Sequence, residues 1–499
     1  MLNKTKDRLK IILIYPPIGR LESYNTPTGL LYVATVLKKS GYNVRLVDCS
    51  VEPDYKAILE AEVRDANLLG VYAMSLHIRH LVPLLKRLKN IKPDLKIIWG
   101  GPHATLFPEQ TAKSTLADIV VRGEGEEAML EIAKGFESGT LNLHRIGGLS
   151  FKEDDNVITT MDRSFIDLDS LPFIDWSLLK KEVMESIKKS IIRVQSSRGC
   201  PYKCTFCINV VSKNAKMRYR SPKLVLDEIE YVYREYNISR VGFRDEVFIS
   251  NRKQTKDIAA GLLERNIRIS WLANPRVEYL RESYIDDDFL KLLTASGCNK
   301  FNVGAESGSQ RILDLLKKGI TISDTLNCVR RTKKFNIIPV VAFLTGIPTE
   351  TGEEQRETLR LIRDIIRIQP KAYINGPANF RPYPGGELYA MCIEKYNLKM
   401  PESLEEWAAT EVLGGAHPPW IKRMYFNQYL WTGTRAALHY DYKYIRGQMK
   451  KNALKGFLMI FIGLMAKFRL RYVFYKFPIE FWLQDWYHRR IIKRVPEFS

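Results

Sequence analysis

Three cysteines stand in one short run, Arg198-Gly199-Cys200-Pro201-Tyr202-Lys203-Cys204-Thr205-Phe206-Cys207. Thiolates are soft ligands for iron, and three of them at CxxxCxxC spacing hold three irons of a [4Fe-4S] cubane. The fourth iron is then open to another ligand, and that open iron is where chemistry can happen. A structural zinc site would need four ligands, yet no fourth Cys or His lies within twenty residues on either side. The remaining cysteines, Cys49, Cys298, Cys328 and Cys392, are scattered singly and read as small buried hydrophobes.

Further polar groups recur downstream, each at the end of a β-branched run. Gly242-Phe243-Arg244-Asp245-Glu246 brings two carboxylates, Asn302 to Ser309 brings Glu306 and Ser307 among glycines, and Thr345 to Thr351 brings Glu350 among hydroxyls. Carboxylates and hydroxyls suit an ammonium group and ribose hydroxyls, while glycine lets a ligand pack on bare backbone.

Two α/β regions must position these groups. In the first, strand signals at Lys10–Ile14, Asn43–Asp48, Leu69–Met74, Lys96–Trp99 and Ile119–Arg122 alternate with amphipathic stretches such as Leu30–Lys39 and Arg79–Lys89. That pattern predicts a five-unit parallel sheet, in which ligands bind beyond the carboxyl ends of the strands. The loops there contain Tyr15-Pro16-Pro17-Ile18-Gly19, Ser75-Leu76-His77, Gly100-Gly101-Pro102-His103 and Gly123-Glu124-Gly125-Glu126. A connector over 141–190 reads as an irregular strap. The second region carries strand signals at Ile191–Gln195, Arg240–Arg244, Ile269–Ala273, Lys300–Gly304, Pro339–Thr345 and Ala372–Asn379, each followed by a helix-length stretch. Six such units predict a partial (β/α)6 TIM barrel, with active residues at the carboxyl ends of its strands.

The cysteine run closely resembles that of the radical S-adenosylmethionine (SAM) family, down to the aromatic Phe206 before the last cysteine. The resemblance implies that Cys200, Cys204 and Cys207 hold the cluster, that SAM chelates the open iron, and that reduction yields a 5′-deoxyadenosyl radical. It also places Glu306 and Ser307 nearest SAM, and Asp245 and Glu246 near SAM or substrate. The family's common Gly-Gly-Glu motif after the second strand is absent in that form.

The first 140 residues, in the order PP…TPTGLLYVATVLKKSGYNVRLVD…GVYAMS…IIWGGPHAT…DIVVRGEGE, resemble the cobalamin-binding domain of many radical SAM proteins. This implies a flavodoxin-like, Rossmann-type domain over 1–140, with Ser75, Gly100, Gly101, Pro102, Gly123, Glu124 and Gly125 against cobalamin. The Asp-x-His-x-x-Gly motif of better-known cobalamin domains is missing, and the loop Pro16 to Glu22 has no histidine. Cobalamin is therefore expected base-off, without a protein His ligand; His77, His80 and His103 are not assigned to cobalt.

The domain reading is thus 1–140 for cobalamin, 141–190 connector, 191–390 radical SAM barrel and 391–499 a mostly helical, basic and aromatic-rich C-terminal region. The whole resembles the class that includes hopanoid methylases and the anaerobic magnesium-protoporphyrin monomethyl ester cyclase. What this implies is a methyltransferase acting on an unactivated carbon of a hydrophobic substrate, with methylcobalamin as methyl donor. Oxidative cyclisation or hydroxylation of a tetrapyrrole is the second possibility, and a non-catalytic corrinoid sensor or carrier the third. An electron donor such as flavodoxin or ferredoxin is implied as a partner.

Composition bounds these readings. At 499 residues, with 45% hydrophobic and 27% charged residues, the chain suits two to four packed domains. The polar start Met1–Lys10 shows no signal peptide, and seven cysteines make an odd number, so the expectation is a cytoplasmic chain with reduced thiols. The net charge is +21; residues 441–499 hold 13 Lys or Arg against 4 Asp or Glu. Within them Gly456–Ala466 is an uncharged run of 11 residues, too short to span a bilayer, which takes about 20. A core helix or an interfacial anchor on the inner face of the membrane are the two readings. Nucleic acid is not expected, because Met, Leu and Ile dominate where polar readers of bases would stand.

Overall fold

The computed structural model describes residues 9–17, 26–211, 216–409, 419–420, 446, 449–450, 452–474, 477 and 479–487. Two compact units divide them. The first takes in the described residues of Met1–Val194, Arg218–Arg240 and Lys399–Ala416; the second takes in those of Gln195–Met217, Val241–Leu398 and His417–Ser499.

The first unit is built on seven strands: β1 (Lys10–Tyr15), β2 (Asn43–Asp48), β3 (Leu68–Tyr72), β4 (Lys96–Gly100), β5 (Ile119–Val121), β6 (Leu149–Glu153) and β7 (Asn156–Thr159). Their order is β2-β1-β3-β4-β5-β6-β7. The first five are parallel, with Ile14 opposite both Val47 and Val71 and Ile98 opposite Ile119. This is the flavodoxin-like order, whose chain reversal beside β1 opens a crevice at the strand ends. Ile11, Ile12, Leu13 and Ile14 are all buried because helices cover both faces, so β1 reads as an unbroken apolar run rather than an alternating one. Trp99 anchors the core and donates its indole N–H to the Leu116 carbonyl at 2.8 Å.

The connector is more regular than a strap. The strands β6 and β7 form an antiparallel hairpin that extends the sheet, with Ser150 opposite Thr159 and Phe151 opposite Ile158. The turn residues Asp154 and Asp155 separate them, and Asp154 takes the left-handed backbone that Asp tolerates. Helix Leu404–Ala409 also belongs to this unit rather than to the C-terminal region: Trp407 donates to Gln110 Oε1 at 2.7 Å and meets the His103 ring edge-on.

The barrel sheet runs β15-β14-β13-β12-β11-β8, formed by β8 (Ile192–Val194), β11 (Arg240–Phe243), β12 (Ser270–Ala273), β13 (Cys298–Glu306), β14 (Ile338–Thr345) and β15 (Tyr373–Asn379). Two short strands, β9 (Ser197–Arg198) and β10 (Arg218–Tyr219), lie between in sequence. The pairs β12–β13, β13–β14 and β14–β15 are parallel. The register of β13 on β14 slips between Gly304 and Glu306, a bulge that re-aims the side chains just where the strand ends.

The described C-terminal part is helical, with helices Ala453–Tyr472 and Ile479–Tyr487. Trp431 and the basic end beyond residue 487 lie outside the described residues. No helix among the described residues is long and apolar enough to cross a membrane.

Candidate functional site

In the second unit the cysteine run leaves β9 through Gly199, whose φ of +101° suits only glycine, and then packs under the next strand ends. Cys200 and Cys204 are buried and Cys207 is half-buried; none is in a disulfide. The run is pinned from several sides. Thr205 donates its N–H to the Leu316 carbonyl and its hydroxyl to that of Leu315, both at 3.0 Å. Gly386 touches the same segment, since a Cβ there would lie 2.9 Å from the Thr205 carbonyl oxygen. Burial pushes the Cys200 and Cys207 thiols up from their ordinary value.

Two buried cations offset that cost. The Arg276 guanidinium lies 3.6 Å from the centre of the Tyr202 ring and 3.7 Å from Cys204 Sγ, and it also binds Glu278 and the Lys318 carbonyl. Lys318 Nζ lies 2.8 Å from Glu306 Oε1 and 5.8 Å from the centre of the Phe206 ring. Burial alone would lower the Lys318 ammonium, but the Glu306 carboxylate outweighs it and the group is held above the usual lysine value. A low-dielectric pocket that already holds paired cations is one where thiolates are tolerated, because the opposite charge is in place. Among the described residues no three His, Cys, Asp or Glu side chains converge on the point a single ion would occupy. A cubane asks for something else, since each thiolate binds its own iron. The donor set therefore fits the cluster.

The expected SAM residues come to the same strand ends but differ in what they do. Glu306 sits at φ +61° just past the bulge, and Gly304 leaves it room: a Cβ on Gly304 would lie 2.1 Å from Glu306 Oε1 and 2.9 Å from Lys318 Nζ. Ser307 is buried against Thr358 and accepts the Ser309 N–H at 3.1 Å. Asp245 is buried and takes the Ser196 N–H at 2.9 Å and the Ser196 and Ser197 hydroxyls at 2.5 Å each. Both its oxygens thus tie down the segment before the cysteines. Glu246, on the surface, takes the Gly199 N–H at 3.2 Å. Glu350 accepts from the Gly346 N–H at 2.7 Å through one oxygen, while its other oxygen is buried without a partner. An orphaned acceptor there is a place for a ligand's donor.

Arg276, Lys318 and Tyr202 were not among the residues expected from sequence. Arg276 follows Asn274-Pro275 after β12, and Lys318 belongs to the doublet Lys317-Lys318, which reads as an ordinary solvated pair. No spacing rule links them; only the closing of the sheet does.

In the first unit the expected cobalamin residues gather at the ends of β3, β4 and β5. Ser75 Oγ and His103 Nδ1 are 3.0 Å apart. Gly101, at φ +90°, presses against Ala73 and Tyr72, where a Cβ would meet atoms at 3.0 Å. Pro102 opens the helical turn Pro102–Leu106. Around Gly100 and Gly123, by contrast, a Cβ would meet nothing within 4 Å, so bare backbone faces open space. Gly125 has ordinary contacts, and Glu124 forms an ion pair with Arg218 at 2.6 Å. Such a glycine-lined ledge of backbone fits a large flat ligand. His77 and His103 are fully buried, and burial lowers them to about 4 and about 3, so both are neutral. His80 is on the surface. The Pro16 to Glu22 loop is described only through Pro17, so its remainder lies outside the described residues.

Comparison with known proteins matches residues 17–133 to the B12 binding domain and residues 194–362 to the radical SAM superfamily. An uncharacterized methyltransferase of Pyrococcus horikoshii is 30% identical over 77% of this chain and 83% of its own length. The anaerobic magnesium-protoporphyrin IX monomethyl ester cyclase of Rubrivivax gelatinosus is 26% identical over 86% of this chain and 79% of its own. Among solved structures, the radical S-adenosylmethionine methyltransferase TsrM from Kitasatospora setae, with tryptophan substrate and a SAM analogue bound, superposes with a TM-score of 0.65. At 20% identity, covering 77% of this chain and 76% of that one, the likeness is one of fold.

Proposed function

Since the chain belongs to the radical SAM superfamily, in the branch whose N-terminal domain binds B12, we propose that it is a cobalamin-dependent C-methyltransferase. Its substrate is an unactivated carbon of a hydrophobic molecule, lipid or tetrapyrrole-like. One observation carries the reading: the same chain sets three thiols beside paired buried cations and, in its other unit, an open glycine ledge at the ends of a flavodoxin-like sheet. When bound, the cluster with SAM supplies a carbon-centred radical, and cobalamin supplies a transferable methyl group.

The residues of the chain hold and orient. Cys200, Cys204 and Cys207 are the iron ligands, and Arg276 and Lys318 balance their charge. Asp245 and Glu246 are positioning residues, because their carboxylates take the Ser196 and Gly199 N–H groups and the Ser197 hydroxyl in the segment that leads into Cys200. Glu306, re-aimed by the bulge, and the free oxygen of Glu350 would hold SAM. In the first unit Gly100 and Gly123 would bring bare backbone to the corrin, with Gly101 forming the tight turn against Ala73 that sets the ledge and Ser75 held by His103. The Pro16 to Glu22 loop carries no histidine and His77 and His103 are closed in the core, so none of these would serve bound cobalamin as an imidazole ligand. A flavodoxin or ferredoxin delivers the electron.

The similarity to the cyclase keeps oxidative cyclisation or hydroxylation as the second reading. A carrier or sensor would have no use for the thiols. Product counts separate the two chemistries. A methylase consumes two SAM per turnover, one cleaved and one to restore the methyl donor, so 5′-deoxyadenosine and S-adenosylhomocysteine form in about equal amounts, with label from methyl-deuterated SAM in the product. Deoxyadenosine without homocysteine product, and oxygen from labelled water in the substrate, would assign the cyclase instead.

A further inference from the structure

We propose that helix Ala453–Tyr472, with helix Ile479–Tyr487 after it, is a docking surface for an anionic lipid bilayer. The longer helix has 20 residues, about 30 Å at 1.5 Å per residue. One side of it is committed to the protein: Met459, Ile462, Ala466 and Leu470 are buried. The joint to the second helix is fixed as well. Arg469 is buried and binds Glu480 at 2.7 Å, and it donates to the Phe474 carbonyl at 3.0 Å and the Phe477 carbonyl at 2.7 Å.

The opposite side is the unexpected one. Leu454, Phe457, Ile460, Leu464, Phe468 and Tyr472 recur at helical spacing and so share one face. They are not buried: Phe457 is 62% exposed, Leu464 61% and Tyr472 60%. The second helix adds Trp482, 60% exposed, and Trp486. The expected apolar run Gly456–Ala466 is therefore core on one side and uncovered on the other.

Charge selects the partner. The long helix contains no acidic residue, and Lys467 and Arg471 are exposed beside its apolar stripe. Residues 441–499 carry 13 basic against 4 acidic residues. Two copies of such a segment would repel, whereas an apolar stripe with basic flanks and indole rings suits the headgroup boundary of an anionic leaflet. Since neither helix can cross, the pair would lie in the surface. This helix pair would bind a membrane whatever reaction the strand-end site catalyses.

Flotation of the full chain with vesicles of phosphatidylglycerol and phosphatidylcholine tests it. The bound fraction should fall at least tenfold on pure phosphatidylcholine, and likewise at high salt. The variant Phe457→Glu/Leu464→Glu should lose binding at least tenfold while its circular dichroism and melting stay those of the parent, since both side chains are more than half exposed. If that variant does not fold, Lys467→Glu/Arg471→Glu replaces it, with the same loss expected. Binding unchanged in the folded variant, or equal on neutral vesicles, overturns the proposal. So does a dimer that the variant converts to monomer without change in flotation, which would assign the face to a second copy.

Discussion

At the ends of β3 and β4 in the first unit the polar groups are backbone and neutral imidazole; at the strand ends of the second unit they are carboxylates, a guanidinium and an ammonium buried in pairs. His103 meets Ser75 and Gly101 meets Ala73, all without net charge, whereas Lys318 meets Glu306 and Arg276 meets both Glu278 and a thiol. The difference matches what each must hold. A corrin is broad and needs close approach, which glycine and unbranched backbone allow. Iron thiolates carry charge into a dry place, and an unpaired charge there would cost several kcal/mol.

One methyl group placed in each unit should separate the two sites. Gly304→Ala puts a Cβ 2.1 Å from the end of the Glu306 side chain and should split it from Lys318 without disturbing the backbone. SAM binding should fall about tenfold or more, equivalent to about 1.4 kcal/mol, with corrinoid uptake unchanged. Gly101→Ala meets backbone at 3.0 Å at φ +90°, ψ −173°, a conformation essentially reserved for glycine, and should cost about 1–3 kcal/mol at that turn. Corrinoid uptake should weaken while iron content stays. Equilibrium dialysis with SAM and with aquocobalamin reads both; a swap of the two effects would show that the units are wrongly matched to their ligands.

Acid separates the units by a smaller margin. His77 and His103 are held at about 4 and about 3 in the folded chain, below the ordinary 6.5. Between pH 6.5 and 4 the unfolded chain binds the extra protons, so stability present at neutral pH is lost as pH falls, by at most about 1.4 kcal/mol per unit for each imidazole. In the second unit Asp324, paired with Arg281, and Glu354, paired with Arg311, are lowered to about 2. Their contribution is complete above the ordinary carboxylate range and is lost only as pH falls toward 2. Hydrogen exchange at pH 7 and pH 5 should show the first unit loosening first; earlier loosening of the barrel would contradict this order of titration.

Much of this was legible beforehand because it is local. Each of the eleven strand signals coincides with an observed strand within a few residues, since β-branched runs flanked by glycine or proline depend on nothing distant. The CxxxCxxC run is likewise self-contained. What escaped depends on closure. Asp245 reads as a ligand group from its place at a strand end, yet its oxygens are taken by Ser196 and Ser197, some fifty positions earlier. Glu124 in a glycine loop is likewise engaged by Arg218. The β6–β7 hairpin was obscured by the prolines and charges that follow it, and helix Leu404–Ala409 joins the first unit through Trp407 and Gln110, a pairing no periodicity announces.

The proposed chemistry requires that Cys200, Cys204 and Cys207 hold a cubane whose fourth iron stays open. Anaerobic reconstitution of the full chain and of its Cys204→Ala variant tests it most directly, by iron analysis and by 5′-deoxyadenosine release from SAM under dithionite. The wild-type chain should carry about four irons and cleave SAM. The variant should lose both while still taking up aquocobalamin. A variant that retained a full complement of iron and cleaved SAM as the parent does would contradict the account.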